Sequence, residues 1–281
     1  MAELNDLKIA LCKVGVNSGD LLYVASDITL PLAEVRKNRG VITKGQRDAF
    51  LDDIVDTLQQ MVGECGTLLF PVFTWAFCRG EGFDIRHTLG EVGAFNNWVM
   101  AKRPEFRRTQ HPIYSFMVWG DAAEELVSLE NRDSWGDDSP FAYLHRHGGK
   151  LLLLSVSLQR GFTFMHYVER SIRVPYRYMK DFRGSYTNSK GKTTDRIYSM
   201  YVRDLSIQCE EYEPDAWMDK AGVTNVSQWG RVALRVINLH AAYDVVKDDL
   251  LDQGGRHCYR FKDYEIDWQG SPTHQDDLCT V

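Results

Sequence analysis

A chain of 281 residues with 44% hydrophobic and 26% charged residues can bury a substantial core, as one large or two small domains. Its formal net charge of −6 argues against general nucleic-acid binding, although a local basic site for phosphates stays compatible with it. No apolar run approaches the roughly 20 residues of a membrane span. The N-terminus lacks a signal-peptide pattern, and the six scattered cysteines form no CxxC pair. The expectation is a cytoplasmic protein with reduced thiols and no membrane partner.

In chain order, apolar runs occur at 21–26 ("LLYVAS"), 67–73 ("TLLFPVF") and 150–156 ("KLLLLSV"). They do not alternate, so they predict strands covered on both faces. Between the first two, Phe50, Leu51, Ile54, Val55, Leu58 and Met61 fall at helical spacing, and "GECGT" supplies a glycine stop. The polar, basic stretch 34–47 reads as a loop. Helices are predicted over 94–102, 120–129 and 231–252, and an antiparallel hairpin over 182–215. The expected architecture is α/β, with residues 1–281 forming a single domain that carries the hairpin as an appendage.

The strand runs end in small polar residues: Ser26 and Asp27, then Thr74, then Ser155 and Ser157. Individually such residues terminate strands or cap helices. Together they favour a ligand site, because open α/β sheets bind ligands outside the carboxyl ends of their strands.

The third run leads into "GFTFMHYVER" at 161–170. Thr163 as N-cap would set His166 in the first helical turn with Glu169 on the same face. One reading is a histidine satisfied by local hydrogen bonds; the other is a general base at a positive helix end, oriented by a carboxylate. No G-x-S-x-G, GxxxxGK[ST] or strand-borne GxGxxG is present, which removes the serine-hydrolase elbow and the common nucleotide-binding loops. His145 and His147, with His166 or His111, could in principle hold a metal, but "LHRHGGK" reads as a solvent-facing helix end, and no metal is expected. Cys78 and Cys209 carry no signature of an activated nucleophile. A neutral histidine with a carboxylate suits proton abstraction during direct transfer between two bound substrates.

Taken together, "GDLLYVASD", "GTLLFPVFTW", "TLGEVGAFNNW", "RRTQHPIYSFMVWG", "DDSPFAYL", "LLLLSVSLQRGFTFMHYVE" and "VPYR" resemble the aminoglycoside 3-N-acetyltransferase family over about residues 19–184. The resemblance implies an α/β/α sandwich with a mixed sheet and an added antiparallel β portion. It implies acyl transfer from coenzyme A to an amine, with His166 as catalytic base and Glu169 as the acid of its motif. A further acidic partner for His166 is expected elsewhere, with Asp27, Glu210 and Glu211 as candidates. The resemblance assigns Ser26, Asp27, Phe73, Thr74, Ser139, Phe141 and Ser155 to the coenzyme A site. It assigns Asp84, His111 and Arg177 to the acceptor, with His111 lining or bracing the site.

This chain departs from the family pattern at Ala25 and Asp27, where the family has VHSS, at Thr109, where it has serine, and in an extended loop over 31–47. These departures, with Lys102, Arg103, Arg107, Arg108, Arg173, Arg177 and Lys180 flanking the motifs, favour a nucleotide-linked amino sugar as acceptor. The acyl group is expected to be acetyl or a short hydroxyacyl. An aminoglycoside antibiotic is the alternative acceptor, and a non-catalytic coenzyme A- or sugar-binding protein is the second alternative. Homo-oligomerisation is left open.

Overall fold

The computed structural model describes residues 2–207, 209–211 and 214–261. Its helices are α1 (Ala2–Lys13), α2 (Thr29–Arg39), α3 (Lys44–Val62), α4 (Ala94–Lys102), α5 (Ala123–Ser128), α6 (Pro140–Arg146), α7 (Leu158–Gly161), α8 (Met165–Ser171), α9 (Asp215–Lys220) and α10 (Leu239–Asp252). Its strands are β1 (Leu21–Ser26), β2 (Thr67–Pro71), β3 (Phe83–Asp84), β4 (Arg107–Arg108), β5 (Phe116–Gly120), β6 (Lys150–Leu154), β7 (Arg177–Thr187), β8 (Thr193–Arg203), β9 (Cys209–Glu211), β10 (Thr224–Trp229), β11 (Val232–Asn238) and β12 (Tyr259–Phe261).

The main sheet has seven strands in the order β10-β11-β6-β1-β2-β5-β4. The predicted runs β6, β1 and β2 are neighbours and mutually parallel, while β11 and β5 flank them antiparallel. Their non-alternating pattern is explained by two cores. Tyr23, Ala25, Leu69, Leu151 and Leu153 point into one, and Leu22, Val24, Leu68, Phe70, Leu152 and Leu154 into the other. Residues of α1, α3 and α4 fill the second face, and those of α6, α8 and α10 the first. This is the expected α/β/α sandwich with a mixed sheet.

Three local expectations change. Residues 232–238 are strand and only 239–252 are helix, because the apolar run also fits a two-residue period: Val232, Leu234 and Val236 are buried while Ala233 is exposed and Arg235 half-buried. Asn238 caps α10 by accepting from the Ala241 N–H. The basic stretch 31–47 is not an extended loop but the body of α2 and the start of α3. A Thr43–Gln46 capping box starts α3, and Gly63, at φ 68°, ends it. The hairpin runs over β7 and β8, from Arg177 to Arg203, rather than 182–215, and its turn is tied by Asn188, whose side chain accepts from the Lys190 and Lys192 N–H groups. Residues 209–211 pair instead with β12. Among the described residues no helix is long and apolar enough to cross a membrane.

Candidate active site

The chain leaves β6 through Ser155, a non-glycine residue at φ 59°. A left-handed residue of this kind is sparsely populated and recurs where surrounding structure fixes the backbone at a site. The chain then forms the short α7 and turns into α8. Thr163 is not the side-chain cap expected. Its carbonyl accepts from the His166 N–H, and its hydroxyl bonds the Tyr23 phenol. Helix α8 opens at Met165, so His166 lies in its first turn, as predicted.

Glu169 is fully buried beneath His166 and collects the polar contacts of the site. Its Oε2 lies 2.7 Å from His166 Nδ1 and 2.9 Å from Arg177 Nε, the latter an ion-pair approach without hydrogen-bond alignment. Its Oε1 accepts from the Tyr176 hydroxyl at 2.8 Å and the Tyr259 hydroxyl at 2.9 Å. Burial pushes the carboxyl pKa up, but the Arg177 charge, the His166 contact and the Tyr176 hydroxyl outweigh it and hold Glu169 at about 2. Arg177 Nη2, which can only donate, also stands 3.1 Å from His166 Nδ1, but the shorter 2.7 Å approach of that nitrogen to an ionised carboxylate requires a proton between them, so in the neutral ring the proton sits on Nδ1 and Nε2 keeps its lone pair. Trp135 fixes the ring plane from the other side, with centroids 5.2 Å apart at 60°.

Two cavities meet at this turn. The first, about 610 Å³, lies outside the carboxyl ends of β1, β2 and β6, lined by Ser26, Asp27, Phe73 and Ser155 among others. The amino ends of α2 and α4 face it through Thr29, Gly93 and Ala94. The buried Ser26 Oγ and Asn96 Oδ1, both in its lining, make no hydrogen bond within the protein. Asp27 is held ionised chiefly by its hydrogen bonds from Thr29, with Arg160 adding attraction. The second cavity, about 140 Å³, is lined by His166 and mostly apolar side chains, and shares Arg160 and Thr163 with the first.

The remaining expected site residues lie elsewhere. Thr74 is buried and donates to Glu91 Oε1 at 2.8 Å. Ser139 caps α6 by accepting from the Ala142 N–H, and Phe141 packs against Tyr23, Phe73 and Phe116 in the core. Asp84 binds Arg86 beside the turn end of the hairpin, ten residues along β7 from Arg177 and so on the order of 30 Å away. Arg177 is buried against Glu169 and the Tyr201 carbonyl, which makes it a support for the acid rather than an exposed acceptor contact. Asp27 sits in the strand-end cavity, Glu210 stands opposite Arg260 in the β9–β12 ribbon, and the Glu211 side chain lies outside the described residues. The acid that orients His166 is Glu169 itself. His145 and His147 do not converge on a metal: the first stacks on Tyr243 and His240, the second on Tyr143.

His111 braces the fold. Its Nδ1 accepts from the Ile113 and Tyr114 N–H groups, Nε2 faces the Arg132 carbonyl, and burial drives its pKa down to about 3. Replacing His111 with alanine should therefore lower stability by at least about 2 kcal/mol, since two buried N–H groups lose their acceptor. Denaturation melts should show that loss, while kcat per folded molecule stays near wild type.

Sequence reading missed Tyr176, Tyr259 and Trp135, whose roles come from tertiary placement, and it also missed Cys258. The Cys258 thiol shares the smaller cavity with His166, but burial and the nearby Asp249 and Glu169 push its pKa well up, which disfavours a thiolate nucleophile.

A buried acid holding an imidazole in a cavity wall is an arrangement suited to base-assisted group transfer. The chain belongs to the aminoglycoside 3-N-acetyltransferase family, whose sequence signature matches residues 40–250. It is thus an N-acyltransferase by family. It is 26% identical over 228 residues to aminoglycoside N(3)-acetyltransferase III of Salmonella sp, covering 74% of each chain. It is 28% identical over 150 residues to aminoglycoside N(3)-acetyltransferase VII of Streptomyces paromomycinus, covering 47% of this chain and 52% of that one. Similar solved structures include AAC-IIIb in binary complex with CoASH (TM-score 0.70, 19% identity, 89% and 96% coverage). A sisomicin-bound AAC-VIa gives a TM-score of 0.68 at 20% identity, with 89% and 98% coverage.

Proposed function

We propose that this chain transfers an acetyl group from acetyl-CoA directly to an amine of an aminoglycoside, with His166 Nε2 as general base. The observation that carries the reading is the Glu169-held imidazole in the wall of the smaller cavity, which joins the strand-end cavity at Arg160 and Thr163. A protonated sugar amine attacks a thioester only as its free base, so a positioned proton acceptor accelerates the step. The nitrogen attacks the acyl carbon, its proton passes to Nε2, and the carbon–sulfur bond breaks to release the thiol. The developing oxyanion needs a donor; Thr74 is committed to Glu91, which leaves the Ser155 hydroxyl as the candidate at the strand ends. The amino end of α4 and the Ser26 hydroxyl, which has no partner within the protein, suit the diphosphate of coenzyme A, whereas the amino end of α2 is already capped by the ionised Asp27.

The nucleotide-linked acceptor suggested by the basic residues loses much of its support. Arg103 pairs with Asp52, Asp56 and Glu105, and Arg107 with Glu124. Arg108 is buried on the carbonyls of Thr88 and Val72, and Arg177 serves Glu169. Relatives are named for aminoglycosides, which favours that acceptor class. Thiol release from acetyl-CoA should show a kcat/KM at least tenfold higher with sisomicin than with a nucleotide-linked amino sugar. The reverse order would restore the nucleotide-linked acceptor, and no release with any amine would leave a binding protein.

A further inference from the structure

We infer that the smaller cavity beside His166 is an acyl-chain pocket, which lets the enzyme use donors with acyl groups of about four to six carbons as well as acetyl-CoA. The inference rests on the coenzyme A reading above and specifies its donor.

The general base must lie within hydrogen-bond reach of the attacking amine, and that amine bonds to the acyl carbon. The acyl group is therefore within a few ångströms of the His166 ring. Leu158, Phe162, Trp217 and Met218 give the cavity that this ring lines an apolar wall, with Gln159 and Tyr259 adding polar surface to it. Among the described residues no carboxylate lines it, and Arg160, which it shares with the strand-end cavity, is the one Lys or Arg there. A thioester entering from the strand ends across Thr163 would carry its carbonyl to His166 and its tail onward along that apolar wall.

Size sets the limit. The cavity measures about 140 Å³, close to the roughly 150 Å³ apolar cavity known to hold a benzene ring. An acetyl methyl would leave most of it empty, whereas a butyryl or hexanoyl tail would fill it. Each buried methylene is worth about 0.8 kcal/mol, or roughly fourfold in binding. Cys258 forms part of the wall, and its thiol bonds to the buried Asp249, so a longer acyl group held there is not captured as a thioester on the protein. The transfer stays direct: the nitrogen–carbon bond forms, the carbon–sulfur bond breaks, and the amine proton leaves through His166 to the departing thiolate.

The test is a donor series of acetyl-, butyryl-, hexanoyl- and decanoyl-CoA with one aminoglycoside, followed by thiol release and by calorimetric binding without acceptor. The dissociation constant should fall about fourfold per added methylene up to hexanoyl. kcat/KM should stay at or above the acetyl value to that length, then drop at least tenfold at decanoyl. Trp217→Ala, which opens one wall, should raise decanoyl relative to hexanoyl turnover. Acetyl-CoA turnover with a loss of tenfold or more at butyryl would overturn the pocket while leaving the acyltransferase reading intact. Failure of every donor to release thiol would remove that reading and the pocket with it.

Discussion

Replacing His166 with alanine is expected to lower kcat by roughly 10²–10⁴, the usual worth of a positioned proton transfer, while leaving the affinity for coenzyme A close to wild type. The selectivity follows from the geometry. His166 lines the smaller cavity and does not line the strand-end cavity proposed for the coenzyme, so its removal should leave that site formed. It also leaves Glu169 with three partners, Arg177, Tyr176 and Tyr259, so the buried acid remains neutralised and the fold should persist. Steady-state rates with a calorimetric titration of coenzyme A would separate the roles. A folded His166→Ala protein with wild-type kcat would sink the mechanism. Equal weakening of stability and both ligands would mark the ring as structural.

The second large effect falls on Glu169. Changing Glu169 to glutamine keeps the shape but leaves the Arg177 guanidinium, itself buried, without its counter-charge. Breaking a buried pair from one side costs about 3–5 kcal/mol, so a clear fall in melting temperature is expected. kcat should fall at least tenfold as well, because the amide holds the His166 tautomer less firmly than a carboxylate. The same residue sets an acid limit. Its folded pKa of about 2 lies below the ordinary 4.5, so between these values the unfolded chain binds a proton that the folded chain does not. Its contribution is complete above about pH 4.5 and is lost as the pH falls toward 2. His111, depressed from 6.5 to about 3, acts in the same direction over its own interval, destabilising the fold as the pH falls below 6.5. Urea melts across this range should show stability declining with acidification, with a shallower decline below pH 4.5 in Glu169→Gln. An unchanged slope would mean that Glu169 is not the buried anion described.

Much of this was legible from residue order. The runs β1, β2 and β6 stood out because burial on both faces removes alternation, and α4 was read over its full length, 94–102. The His166–Glu169 pair was visible because a spacing of three residues places both on one helical face. Where the reading failed, two periods competed or charge concealed structure. Residues 232–238 satisfy both strand and helix patterns, and the exposed Arg36 and Lys37 disguised α2 as a loop. The rest of the acid cluster had no local signal. Tyr259 reaches Glu169 from 90 residues away, through a ribbon that exists only after folding. Likewise, a hydroxyl at a strand end looks the same in sequence whether it faces a cleft, as Ser155 does, or an internal carboxylate, as Thr74 does.

Direct acyl transfer from coenzyme A to an amine at His166 can be checked by initial rates of thiol release with acetyl-CoA and sisomicin both varied. Intersecting reciprocal plots are expected, with N-acetylated sisomicin as product and no acetylated protein by mass spectrometry at any point in turnover. Parallel plots with an acetyl group trapped on the protein, at Cys258 above all, would contradict it and replace direct transfer with a covalent intermediate.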